Sequence, residues 1–477
     1  MKMKKNIIYY LFAIGFIFTS CEKDRLDLAP FDAVSSSTAL NAAGDFEIAV
    51  DGLYYMMLNS PYYGADLMSF PDVLADNLIY NPDGRQTQKV YFEWRYDANS
   101  AKRNFMGDCA DVIQQANFIL ENIDKLDDGD VKDDIMAKAL AARALAHFDQ
   151  VKVYGKIPTQ SGDANGSLGV PYLTSSDIRQ LPTRNTVGEV YTNIINDLEM
   201  AKSLIGSDNS IYEFNLDAIN GLLSRAYLYN GNMSGAVNAA NAVTKSVSSF
   251  GSFVGVWDDS SSEGVLFKLK NLDTEQGIGT GIPYSQTLSA GIYSEYLISY
   301  SFNELFMNDD IRQSAYVVTS AYNGLLYNHV AKYLSSSINT GSGVVDVKVI
   351  RAAEVFLNKA EAYAEMDQDG MALAALDAVR SERYSGFVSG GETGQDLKDA
   401  IQLERRLELA FEGHRFFDIK RKGLPIQRDN FGEFADGSGS PAFVQTMPAG
   451  DCRFQLAIPK AEIDVNPNME QNPCSNY

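Results

Sequence analysis

Between residues 350 and 383 apolar and polar positions alternate with the period of a helix, twice, on either side of a turn. Ile350, Ala353, Leu357, Ala360 and Ala364 fall on one face of a first helix, and Ala372, Ala375, Leu376 and Val379 on one face of a second. Asp367-Gln368-Asp369-Gly370 separates them, and alanine stands where the two backbones must come close. The pattern predicts an antiparallel helical hairpin of roughly 34 residues, the period of a tetratricopeptide unit. A third helix is expected through IQLERRLELAFEGHRFFDIKR, with Leu397, Ile401, Leu407 and Phe411 on its buried face and Gly413 at its end.

The same alternation recurs upstream. Helices are predicted over about 101–124 and 131–154, joined across LDDGD, and a helix rich in small residues over 35–58. Thr186-Val-Gly-Glu189 is a capping box, opening a helix with Val190, Ile194, Leu198, Ala201 and Ile205 on one face. Segments 214–229 and 234–247 repeat the hairpin, with Ala218, Leu222 and Ala226 facing Ala236, Ala240 and Val243. Hairpins are thus expected at about 101–154, 186–229, 214–247 and 350–383. None buries its apolar face alone, so they should stack into a solenoid. Helical periodicity fails over 62–99 and 250–345. There, aromatics sit among turn residues, short strands such as VLFKLK are expected, and one helix is plausible over 294–307. The fold class is therefore mainly α: tetratricopeptide-like hairpins forming a scaffold, with long irregular loops and a few short strands. Such loops are where function concentrates.

Three runs, RAAEVFLNKAEAYAEM…ALDAVRSER, ERRLELAFEGHRFFDIKRKG and the tail IPKAEIDVNPNMEQNPCSNY, occur in the order and spacing of the SusD/RagB family, which the chain resembles nearly end to end. The tail departs once: where the family usually closes with Asn-Pro-Gly-Tyr, Asn472-Pro473 is followed by Cys474, with Tyr477 three residues later. The resemblance implies an outer-membrane lipoprotein of a glycan- or peptide-uptake system. It also implies a helical face docked on a SusC-like TonB-dependent transporter, for which the protein acts as a lid.

The N-terminus fits that expectation. MKMKK is a basic region, Ile7–Phe18 an apolar one, and Thr19-Ser20 supplies small residues before Cys21. Residues 1–20 read as a secretory signal too short to span a bilayer, and Cys21 as a lipidated first residue heading a tether to residue 34. Residues 35–477 read as a single domain. The expected location is the cell surface, with the lipid as anchor to the outer membrane.

The formal charge is −22, and loss of the leader with Lys2, Lys4 and Lys5 makes it more negative. That excludes nucleic acid as a natural partner and suits neutral ligands or basic peptides. Cys109 lies on the apolar stripe Phe105, Cys109, Val112, Ala116, Ile119, Ile123 and reads as a core residue. Whether Cys452 and Cys474 pair is left open.

Catalytic chemistry is missing from the sequence. The histidines, at 147, 329 and 414, are too scattered for a metal cluster, and HExxH, CxxC, G-x-S-x-G and GxxxxGK[ST] patterns are lacking. Gly277-Ile-Gly279-Thr-Gly281 reads as a flexible loop, and Asp127-Asp128-Gly129-Asp130 as a turn between helices rather than a calcium loop. Neither metal nor cofactor is expected. The run Glu404, Arg405, Arg406, Glu408, Glu412, Arg415, Asp418 reads as an ion-pair network that pins its helix to the scaffold.

Stacking chemistry is plentiful. Sugar rings present apolar C–H faces to flat aromatic side chains, while their hydroxyls seek amides, carboxylates and guanidiniums. The 62–99 loop offers Trp94, Tyr91 and Tyr96 with Asp76, Asn77, Arg85 and Asn99; the later insertion offers Trp257, Tyr284, Tyr293 and Tyr296. The resemblance places a ligand site in loops of these two regions, by region and not residue by residue. Because both tryptophans lie there, they are the favoured platforms. The expected function is a non-enzymatic protein that captures an oligosaccharide. A peptide binder and a surface glycan hydrolase are the alternatives, and an intracellular scaffold is disfavoured by the leader and Cys21.

Overall fold

A computed structural model describes residues 39–477 apart from Asn209 and Asn476; the leader, Cys21 and the tether lie outside the described residues. The scaffold is a file of antiparallel helices: α1 (Ala43–Met57), α2 (Arg103–Asn122), α3 (Asp130–Tyr154), α4 (Val187–Leu204), α5 (Leu216–Tyr229) and α6 (Met233–Asn241). After the insertion come α7 (Ala352–Glu365), α8 (Asp369–Arg380) and α9 (Gly394–Glu408). Each packs on the next in line from α1 to α6, then α6 on α7, and α7 on both α8 and α9. The chain thus leaves the stack after α6 and rejoins it about 110 residues later, as a solenoid with one long insertion would.

Local chemistry explains the boundaries. Thr186 Oγ1 accepts from Glu189 N at 3.3 Å while Glu189 Oε2 accepts from Thr186 N at 2.9 Å, so the capping box opens α4 as the sequence requires. Ala353, Leu357, Ala360 and Ala364 on α7 and Ala372, Ala375, Leu376 and Val379 on α8 are all buried, in one apolar cluster with Leu228, Ala236, Leu397 and Ile401. Cys109 is buried and free, and Cys452 is bonded to Cys474.

Four boundaries differ from expectation. Ile350 is not in α7 but in a strand, Val347–Arg351, that pairs with Val265–Leu269. The helix expected over 234–247 ends at Asn241. The one expected over 294–307 is instead the strand Tyr296–Ile298 with a single turn at Tyr300–Asn303. The helix through residues 401–421 is interrupted: α9 stops at Glu408 and a new helix starts at Arg415. Phe411 (φ 66°) and Gly413 (φ 75°) occupy left-handed backbone in the break. Their amides are taken up by buried Asp72, Phe411 N donating to Oδ1 at 3.2 Å and Gly413 N to Oδ2 at 3.4 Å. A Cβ on Gly413 would lie 2.4 Å from the Leu67 carbonyl oxygen, so that position admits only glycine.

The two irregular regions meet in one antiparallel sheet. Its strands are β1 (Leu78–Tyr80), β5 (Tyr296–Ile298), β6 (Val317–Tyr322) and β7 (Leu325–Val330), in the order β1-β5-β7-β6. The remaining strands pair separately: β2 (Val265–Leu269) with β8 (Val347–Arg351), β3 (Ser285–Leu288) with β4 (Gly291–Ser294), and β9 (Ile426–Gln427) with β10 (Thr446–Met447). Leu78 pairs with Ile298 and Tyr80 with Tyr296, so residues more than 200 positions apart are neighbours. Region 62–99 is therefore no loose loop. It contains the buried helix Asp66–Leu74 and the short helix Lys89–Phe92, packed on the scaffold. Among the described residues no helix is long and apolar enough to cross a membrane.

Candidate ligand-binding site

The charged run of α9 is built inward. Glu408 receives Arg351 Nη1 at 2.8 Å and Arg383 Nε at 2.8 Å, and Glu404 pairs with Arg312 at 2.5 Å. Glu412 holds Arg351 and Lys332, and Asp418 holds Arg405 and Arg421. Burial alone would raise the Glu408 carboxyl; the surrounding guanidiniums of Arg383, Arg351 and Arg312 hold it well below the carboxylate range instead. This network joins the strands to the solenoid through carboxylates and guanidiniums that are almost fully buried, the role of a structural fastener.

It also claims two residues expected at the site. Asp76 accepts both arms of Arg415 at 2.7 Å, and Asn77 Oδ1 accepts Arg406 Nε at 2.8 Å. Burial opposes ionisation of Asp76, yet Arg406 and Arg415 bring its carboxyl down to about 2. Asp76 and Asn77 tie the 62–99 segment to α9 and are corrected here to scaffold residues.

Six aromatics are corrected in the same way. Trp94 is 1 % exposed; its indole N–H donates to Leu74 O at 2.9 Å, and the Arg428 guanidinium lies 4.2 Å from its ring. Tyr91 and Tyr96 are buried and stack on each other at 5.6 Å, Tyr96 Oη donating to Arg453 O. Trp257 is buried beneath Lys332, 3.9 Å from its ring, and Arg351 at 4.9 Å. Tyr284 Oη donates to Met68 O at 2.5 Å, and Tyr296 packs between Tyr80 and Phe92. Each of these rings joins its loop to the scaffold or to another loop. A loop aromatic with that many partners has no face left for a ligand.

Three of the expected residues stay at the surface. Asn99 stands apart in a turn held by Asp97, next to the C-terminal segment, where Lys460 N donates to Ala98 O. Arg85 and Tyr293 come together. The β3–β4 hairpin sets Tyr293 opposite Gln286 on one face. Tyr293 Oη donates to Asp83 O at 3.0 Å, and its ring centroid lies 5.3 Å from that of Tyr322 at the end of β6. Arg85 reaches Glu295 Oε1 at 2.5 Å with 46 % of its side chain exposed, and, with the amide of Gln286 presenting its oxygen, Gln286 accepts from Arg85 Nη2 at 2.5 Å. Buried Glu295 also accepts Thr87 N at 3.1 Å and Thr87 Oγ1 at 2.7 Å, which fixes the 81–88 turn against the hairpin. Desolvation first and the Glu295 charge second push the Tyr293 phenol above its ordinary value, so it remains neutral.

The result is a surface patch of two half-buried tyrosine rings, one with its phenol anchored on the backbone, beside a guanidinium and an amide. It offers flat apolar faces and hydrogen-bond donors within one side-chain length, the combination a polyhydroxylated ring requires. Tyr322 is absent from the sequence expectation. Its signal was Asn323-Gly324, both with positive φ (50° and 83°) between two alternating runs, the mark of a tight hairpin. Among the described residues no group of His, Cys, Asp and Glu is placed to hold a metal ion.

Comparison with known proteins agrees with this architecture. Residues 255–475 match a family model described as "SusD family", and residues 32–228 match one described as "Starch-binding associating with outer membrane". SusD-like protein P2 of Formosa agariphila is 23 % identical, over 98 % of this chain and 99 % of its own. Among solved structures, a candidate sugar binding protein from Bacteroides vulgatus is 28 % identical with a TM-score of 0.80, covering 91 % of this chain and 99 % of that one. A SusD superfamily protein from Bacteroides thetaiotaomicron is 26 % identical with a TM-score of 0.79, covering 91 % and 100 %. Both halves of the scaffold and the insertion between them are thereby matched, and the chain belongs to the SusD/RagB family.

Proposed function

We propose that this protein is a binding protein, not an enzyme, which captures an oligosaccharide at the cell surface on the Tyr293–Tyr322 patch. In this reading a sugar ring lies on one tyrosine face, and its hydroxyls take the exposed Arg85 and the half-buried Gln286 side chains as partners. Lipidated at Cys21, the protein stays at the outer membrane. Its helical scaffold rests on a SusC-like TonB-dependent transporter as a lid that delivers the ligand. The observation that carries the reading is that Arg85 and Tyr293, from the two irregular regions, meet beside Tyr322 on the surface. The family descriptions support a glycan as the ligand class and the outer membrane as the place.

The test is a glycan array on the soluble chain beginning after Cys21, followed by titration of Tyr293→Ala and Tyr322→Ala with the glycan found. Each variant should lose roughly tenfold to thirtyfold in affinity, about 1.4–2 kcal/mol, with melting unchanged. Undiminished binding by both would move the site elsewhere. Release of new reducing ends from the bound glycan would make the protein a hydrolase.

A further inference from the structure

A second concave surface lies between α1, the segment leading into α5, and residues 270–276. It encloses about 460 Å³, within the roughly 300–1,000 Å³ range of small-molecule sites. It shares no residue with the Tyr293 patch. Two tyrosines line it with much of their rings in solvent: Tyr55 is 61 % exposed and Tyr212 39 %. Both have defined neighbours behind them. Gln276 Nε2 donates to Tyr55 O at 2.8 Å and fastens the 270–276 segment to α1. Lys268, itself paired with Asp346 at 2.7 Å, places its ammonium 5.0 Å from the Tyr212 ring. Beneath them, Tyr54 packs against Phe214 and Phe267 and accepts Phe214 N at 3.0 Å on its hydroxyl, giving the cavity a fixed floor.

The polar lining is mixed: Asp51, Glu213, Lys270 and Glu275 stand around the two rings. One further feature is unexplained by the fold. Gln276 Oε1 is shielded from solvent and has no hydrogen-bond partner, an acceptor whose isolation is costly unless something donates to it. Exposed rings on a rigid floor, ringed by carboxylates, an ammonium and an amide, constitute carbohydrate-binding chemistry again. Glu213 is already paired with Lys138 and Lys270 stands beside the other carboxylates, which reduces the charge left for a basic peptide.

We infer that this cavity is a second carbohydrate site, stacking one or two sugar units on Tyr55 and Tyr212 independently of the Tyr293 patch. The inference rests on the oligosaccharide-binding reading above. Two sites on one chain would let a long glycan be held at two places, raising its effective affinity without any new contact.

Short probes are used so that each site, the two sharing no lining residue, is read separately. Calorimetric titration of the soluble chain with maltotriose, cellotriose, laminaritriose and xylotriose should give two molecules bound per chain for at least one sugar. With that sugar, Tyr55→Ala/Tyr212→Ala should weaken one of the two binding steps at least tenfold and spare the other. Tyr293→Ala should do the reverse, and melting should be unchanged in both, since all three side chains are at the surface. One molecule bound per chain, abolished by Tyr293→Ala and untouched by the double variant, would overturn the second site and leave the first standing. Binding lost in the double variant but intact in Tyr293→Ala would keep this cavity and overturn the Tyr293 patch. Failure of the wild type to bind any of the four would count against oligosaccharide capture itself, and this inference would fall with it.

Discussion

Trp94 distinguishes a platform from a strut more sharply than any other residue, because its two roles predict opposite results from one substitution. Truncating Trp94 to Ala removes most of an indole that is 1 % exposed. Roughly 150 Å² of apolar ring surface at about 25 cal/mol per Å² amounts to about 4 kcal/mol. Two further losses follow. The indole N–H no longer donates to Leu74 O, although that carbonyl keeps Arg428 Nη2 at 3.3 Å and is not orphaned. Arg428 loses one of the two rings over which it lies, Phe92 at 3.8 Å remaining. Arg428 is buried and donates to the carbonyls of Ala75, Phe92, Val444, Val73 and Leu74; desolvation already brings it down to about 9. The left-handed backbone at residue 94 (φ 51°) is not relieved, since Ala has a Cβ as well. The expected cost of Trp94→Ala is therefore about 3–5 kcal/mol. Trp94→Phe keeps a ring and should cost about 1–2 kcal/mol, mainly the lost donor. Urea unfolding followed by far-ultraviolet circular dichroism measures this, because tryptophan fluorescence changes with the substitution itself. The folded fraction should bind oligosaccharide with unchanged affinity. A variant that melts like the wild type and binds nothing would refute the reasoning and return Trp94 to the site.

Glu408→Gln leaves three buried guanidiniums, Arg351, Arg383 and Arg312, short of one negative charge, and should cost about 3–5 kcal/mol with no effect on glycan affinity, as read by melting and titration together. Asp76 titrates at about 2 when folded, held below its ordinary 3.8 by Arg406 and Arg415 against the effect of burial. The unfolded chain therefore binds the extra proton between about pH 4 and pH 2, so this stabilisation is present above pH 4 and lost as the pH falls through that window. In unfolding measured across that range, Asp76→Asn should have a shallower acid slope than the wild type; an identical slope would show that the pair contributes nothing. The Cys452–Cys474 bond closes a segment of 22 residues, so Cys474→Ala should lower stability by about 3 kcal/mol, and dithiothreitol should reproduce the loss in the wild type but not in the variant.

What could be read from the sequence was set by the range of the interactions involved. The helical file was legible because its causes are local. An alanine or leucine every three or four positions fixes which face of α7 or α8 is buried, and Thr186 with Glu189 fixes where α4 begins, whatever the rest of the chain does. The break after α9 was legible only as Gly413 at a helix end; what holds it was not, because the partner for the Phe411 and Gly413 amides is Asp72, from the far end of the chain. The aromatics failed for the same reason. Trp94 and Tyr293 both occur among turn residues, and aromatic density alone does not distinguish them. Trp94 is buried because Arg428 and Leu74 enclose it; Tyr293 stays at the surface because its hairpin has the 81–88 turn on one side and solvent on the other. In a protein where long segments lie on a regular scaffold, most large side chains in those segments are needed as fasteners. The ones left for a ligand are those whose strand partner and turn type, Gln286 for Tyr293 and Asn323-Gly324 for Tyr322, hold the backbone without using the ring. Hairpin signals are thus a better guide than aromatic density to where such a chain keeps its exposed rings, and in this one they point to Tyr293 and Tyr322 ahead of either tryptophan.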